Sequence, residues 1–132
     1  MSTQPLAYLL VMLGSALGGG ARLGVSTLVS RGLGTGFPWG TLAVNVAGCL
    51  LVGVFGAMFA PPGRIHDLQD LRVFLVVGVL GGFTTFSAFS LEALLLVQRG
   101  QAAAAAGYVA ASLAGCLAAV WIGWSVTSAA LR

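Results

Sequence analysis

Asn45 is an uncharged amide in the middle of a run, Gly32 to Gly63, that holds no charged side chain. An amide placed in an apolar medium costs several kcal/mol unless it is paired. Asn45 therefore either bridges two helices, a common device in lipid, or lends its N–H to a passing anion. Phe86 and Phe89 stand three residues apart, on one face if the segment is helical. Such pairs usually pack, yet an aromatic ring is electropositive at its edge, so rings turned edge-on also favour an anion without a fixed charge. Tyr108, Ser112 and Cys116 recur at spacing four and form a second face with polar tips. Glu92 is the one acid expected within the membrane, and an intramembrane ionisable group is a functional candidate by default. Arg22 either lines a vestibule that attracts anions or snorkels to the headgroups.

The elements that carry these groups must be long and apolar. Stretches without charge run from Met1 to Ala21, Gly32 to Gly63, Val73 to Leu91 and Gly100 to Leu131. A helix that crosses the hydrocarbon core needs about 20 predominantly apolar residues. The pattern predicts four helices, over 5–30, 38–60, 69–98 and 102–129, in one transmembrane domain spanning 1–132. Pro38 suits a helix start, and Pro61-Pro62-Gly63 stops the second helix because proline cannot continue the ladder. The runs are continuous rather than alternating, which argues against a β-barrel. Met1-Ser2-Thr3-Gln4-Pro5 lacks the basic start of a signal peptide, so the first apolar stretch reads as a retained helix.

The third segment, Leu68 to Gln98, is too long for a simple span: 31 residues make about 46 Å of helix against a core of about 30 Å. Near its middle, Gly81-Gly82 is followed by Thr84-Thr85, a poor helix interior. The expectation is a break at mid-membrane depth. Irregular backbone is tolerated there only when buried in protein or lining a polar cavity, and broken helices of transport proteins set such groups against ions. The first helix carries Gly14-x-x-x-Gly18 and Gly20-x-x-x-Gly24, and the last carries Gly107, Ala111, Gly115, Ala119 and Gly123 at spacing four. Small residues so spaced let helix backbones approach closely in lipid.

Composition excludes a soluble fold. Charged residues make up 7% of the chain and apolar ones 58%, with a mean hydropathy of +1.01, whereas a soluble domain carries about 25% charged residues. The net charge of +3 is scattered, without the basic cluster a nucleic-acid partner requires. Loop arginines are nearly balanced: Arg64, Arg72 and Arg132 fall on one side of the membrane, Arg31 and Arg99 on the other. Orientation normally follows an excess of such residues on the cytoplasmic side, so this chain is expected to insert both ways and to pair as oppositely oriented copies. An enzyme is disfavoured: His66 is the sole histidine and lies in a loop. Cys49 and Cys116 lie on separate helices without metal-ligand spacing and read as small apolar packing residues.

Three motifs now converge: Gly18-Gly19-Gly20-Ala21-Arg22, then Gly40-Thr41-Leu42-Ala43-Val44-Asn45-Val46-Ala47-Gly48, then Gly81-Gly82-Phe83-Thr84-Thr85-Phe86-Ser87-Ala88-Phe89-Ser90. The chain carrying them resembles the small fluoride channels called Fluc or CrcB over nearly its whole length. The resemblance implies an all-α, multi-pass protein of the cell (inner or plasma) membrane. Its four spans, the third broken near mid-membrane, would assemble as an antiparallel, dual-topology homodimer. It implies passive fluoride export that lowers cytoplasmic fluoride and its toxicity. Asn45, Phe86 and Phe89 would contact fluoride; Thr85, Tyr108, Ser112 and Glu92 would extend the pore; and Arg22 would stand in the vestibule. A structural Na+ at the dimer centre would be held by the backbone carbonyls of Gly81 and Thr84. Cys116 stands where the family pattern suggests serine, and Ala88 where threonine is frequent. Two other readings differ in what they require. A small multidrug exporter would carry an acid in the first helix, which is absent here, and a proton-coupled carrier would work through Glu92.

Overall fold

The structure, a computed structural model, describes residues 4–61, 63, 65 and 67–132. Pro62, Arg64 and His66, expected above to help stop a helix, carry a loop charge and supply the sole imidazole, lie outside the described residues. Among those described, the regular structure is entirely helical. Helix α1 covers Gln4–Leu33 and α2 covers Trp39–Phe59, with Pro38 directly before its first residue. The third span is Gln69–Gln98. Its first part, α3, occupies 69–83: a turn at Gln69–Arg72, a π-helical stretch at Val73–Leu80 and a closing turn at Gly81–Phe83. Its second part is α4, Phe86–Gln98, and the chain ends in α5, Ala102–Ala130. All four spans are long and apolar enough to cross a membrane.

Thr84 and Thr85 interrupt the third span. Thr84 has ψ 157° and Thr85 has φ −152° with ψ 125°, both extended. Their β-branched side chains favour that conformation, and each hydroxyl is used to hold the ends. Thr84 Oγ1 donates back to the Leu80 carbonyl at 3.0 Å. Thr85 Oγ1 accepts from the Ala88 amide at 3.3 Å and so caps α4. The break also switches packing partners. Before it, α3 lies along α1; after it, α4 packs on α5.

Glycine sets how closely these helices approach. A Cβ on Gly14 would stand 2.7 Å from the Phe74 carbonyl oxygen, and one on Gly18 would collide with the Val79 carbonyl. The α1 and α3 backbones are therefore in direct contact, as expected where lipid gives no hydrophobic drive and close packing must do the work. On α2, a Cβ on Gly48 would strike the methyl of Thr84, so this glycine makes the room the break needs. Gly53 and Gly123 perform the same service between α2 and α5. By contrast, Gly20, Gly24 and Gly107 face open space. A core of Phe89, Leu96, Ala105 and Tyr108 joins α4 to α5. Leu9, Leu17, Leu23, Leu117 and Trp121 project outward, a surface suited only to acyl chains.

Candidate functional site

The α2 and α5 helices present matched ladders. The same separation, 67 residues, joins Thr41 to Tyr108, Asn45 to Ser112 and Cys49 to Cys116. Each ladder rises in steps of four residues, which keeps a side chain on one helix face. Packing sets the register: Gly115 lies against Val46, and Gly53 against the backbone of Val120 and Trp124.

The first rung is closed by a carboxylate from α4. Glu92 Oε1 accepts from Thr41 Oγ1 at 2.7 Å, and Oε2 accepts from the Tyr108 hydroxyl at 2.7 Å. Tyr108 is fully buried. Glu92 also lines a cavity of about 200 Å³ with Ser30, Thr35 and Arg99 near the α1–α2 and α4–α5 connections.

At the second rung, Asn45 clips the break. Its Nδ2 donates to the Thr85 carbonyl at 2.9 Å, and its Oδ1 accepts from the Thr85 amide at 2.8 Å. One side-chain amide thus satisfies both backbone groups of Thr85, as buried polar groups require. Nδ2 carries two N–H donors, which leaves the second for the cavity that Asn45 borders. That cavity, about 260 Å³, is also lined by Thr84, Thr85, Phe86, Phe89, Ser112 and the two cysteines. The Ser112 hydroxyl is buried in its wall with no hydrogen-bond partner among the described residues. No fixed charge borders this space.

Rings run beside the ladder. Phe86 and Phe89 have centroids 5.3 Å apart at 47°, Phe89 and Tyr108 are 5.2 Å apart at 54°, and Tyr108 meets Phe37 edge-on at 5.4 Å. Phe89 lines the larger cavity, and its neighbour Tyr108 bonds to Glu92, which lines the smaller. Phe89 is buried, but Phe86 is 75% exposed, so the larger cavity is open on one side of the single chain. The start of α4 faces the same region, and the first amides of a helix carry partial positive charge.

Arg22 reaches the break rather than a connection: its Nη1 lies 3.5 Å from the Thr84 carbonyl. Gly81 is exposed. The amide that would close a helical turn on its carbonyl, that of Thr85, donates to Asn45 instead. The break therefore frees the Gly81 carbonyl, while that of Thr84 makes only a long contact with Arg22. Carbonyl oxygens suit a hard cation. Among the described residues, no three His, Cys, Asp or Glu side chains stand together as a metal site.

The structure thus brings Asn45, Thr85, Phe86, Phe89 and Ser112 around one space and sets Tyr108 and Glu92 just beyond Phe89. Sequence reasoning missed Thr41 and the pairing of Cys49 with Cys116, which line one cavity. Both missed residues lie four positions from Asn45, the same signal that singled out Tyr108, Ser112 and Cys116.

Residues 9–124 match the family described as CrcB-like protein, Camphor Resistance (CrcB). The Fluoride-specific ion channel FluC of Methylocella silvestris is 46% identical over 122 residues, which cover 92% of this chain and 93% of the relative. The protein of the same name from Paracoccus denitrificans is 51% identical over 119 residues, 90% of this chain and 92% of the relative. That from Rhodospirillum rubrum is 45% identical over 118 residues, with 89% and 92% covered.

Proposed function

The chain belongs to the CrcB family, and from that premise we propose that it is a multi-pass membrane channel, not an enzyme, that lets fluoride leave the cell passively. The observation that carries this is the orphaned Ser112 hydroxyl, buried in the wall of a cavity that also holds the spare N–H of Asn45 and the rings of Phe86 and Phe89. An unpaired buried hydroxyl is costly, and a transient acceptor would satisfy it. Fluoride is small and tightly hydrated, so a pore must replace its water with several donors. A lysine or arginine in the wall would retain the ion. Conduction needs sites that are favourable but weak and multiple, and amide, hydroxyl and ring-edge contacts fit that need. An inside-negative potential adds about 2.3 kcal/mol per charge per 100 mV, which drives anions outward and lowers cytoplasmic fluoride and its toxicity.

Beyond the cavity, the ion would pass Phe89 and Tyr108 to the Glu92 rung. There the Thr41 and Tyr108 hydroxyls must rotate from the carboxylate toward the ion. Arg22 would draw anions toward the break. The open flank beside Phe86 and the near balance of loop arginines support an antiparallel homodimer, in which a second copy closes each cavity and two pores result. In that pairing Gly81 and Thr84 of both copies would hold Na+ through backbone carbonyls; when bound, the ion supplies the positive charge that ties the two breaks together. The freed Gly81 carbonyl fits that role.

Purified protein in liposomes loaded with fluoride or chloride tests the proposal. Fluoride should escape rapidly while chloride stays, as followed by ion electrodes. Equal loss of both, or of neither, would remove the case for a selective channel.

A further inference from the structure

We propose that Cys49 and Cys116 together form a two-coordinate site for a soft d10 metal cation, the class of Hg2+, Ag+ and Cu+, whose binding plugs the larger cavity. The inference rests on the channel proposal for its effect, but not for the site itself. Both cysteines line the cavity, and both are half-buried free thiols. They form the third rung between α2 and α5, at the level set by the Val46–Gly115 and Gly53–Val120 contacts. Thiolate is the soft ligand that selects such ions over Mg2+, Ca2+ or Na+, and two sulfurs lining one cavity can supply the linear pair that d10 cations accept.

With Hg2+ the step balances without an oxidant. Two S–H bonds break, two S–Hg bonds form, and two protons pass to water. The product is a neutral dithiolate, the charge state a low-dielectric interior tolerates best. It would stand one helical turn from Asn45 and Ser112 on their respective ladders and narrow the space an anion must cross.

These are the chain's only two cysteines, so the chemistry can be read cleanly. The purified protein is treated with HgCl2 and its intact mass measured. One mercury per chain, a mass gain equal to mercury less two hydrogens, and protection of both thiols from maleimide are expected. Two mercury atoms per chain, or a thiol that still alkylates, would overturn the site. Cys49→Ser and Cys116→Ser should each surrender mercury to glutathione at concentrations at least tenfold lower than the unsubstituted chain requires; equal retention would count against bridging. In liposomes, Hg2+ should stop fluoride efflux, dithiothreitol should restore it, and the double Cys→Ser variant should keep its own untreated rate. A bridged ion with undiminished efflux would refute the plug. Absence of efflux before treatment would instead count against the channel, and the mass result would still decide the site.

Discussion

Asn45 and Ser112 face each other across one rung, yet removing their polar groups should have opposite effects on stability. Asn45→Leu leaves the Thr85 amide and carbonyl without partners, a loss of about 1–3 kcal/mol for each buried group. Fluoride efflux should fall by about tenfold or more, the equivalent of 1.4 kcal/mol, and the thermal midpoint should fall with it. Ser112→Ala removes a hydroxyl that has no partner. Its stability should hold or rise, by up to ~1 kcal/mol, read as an unchanged or higher melting temperature, while efflux drops severalfold. A Ser112→Ala protein that conducts at the original rate would show that the hydroxyl does not meet the ion. The value of Asn45 as an intramembrane amide was legible in sequence. Its partner was not, because the bonds it makes are to backbone 40 residues away, and backbone exposure is a property of the break rather than of any residue type. Thr41 escaped notice for a similar reason: its importance depends on Glu92, which only the fold brings within 2.7 Å.

At the level of helices, the same residue type does different work according to what lies opposite. Gly18 abuts the Val79 carbonyl, whereas Gly20 meets nothing. Gly18→Ala should destabilise the chain by about 1–3 kcal/mol, as overpacking does, because backbone cannot yield as a side chain can. Gly20→Ala should leave the monomer fold within about 0.5 kcal/mol. Denaturation in detergent, followed by helical circular dichroism, separates the two, and equal destabilisation would contradict the α1–α3 contact. Charge-free runs were enough to locate all four spans, since lipid penalises every charge in the same way whatever the tertiary contacts. The Gly81-Gly82 and Thr84-Thr85 doublets pointed to the interruption. The π-helical turns of Val73–Leu80, which pack against α1, left no comparable signal: that apolar run is equally compatible with an α-helix.

The whole chain presents few charges with which to choose an orientation, and this can be shifted deliberately. Gln101→Lys with Ala103→Lys adds two positive charges to the α4–α5 side, at exposed positions, and should insert every copy one way. Alone, this variant should lose most of its efflux; co-expressed with a chain carrying Leu68→Lys and Gln69→Lys, it should regain it. Full efflux from either variant alone would argue against antiparallel pairing. The open flank beside Phe86 has a further consequence for physiology. In the proposed pairing, a solitary copy would leave its groove facing acyl chains, and export would be a property of encounters between copies. By mass action, a sparsely populated membrane would then lose function with the square of abundance, and a modest fall in expression would leave a cell far more sensitive to the halide than the number of missing molecules suggests.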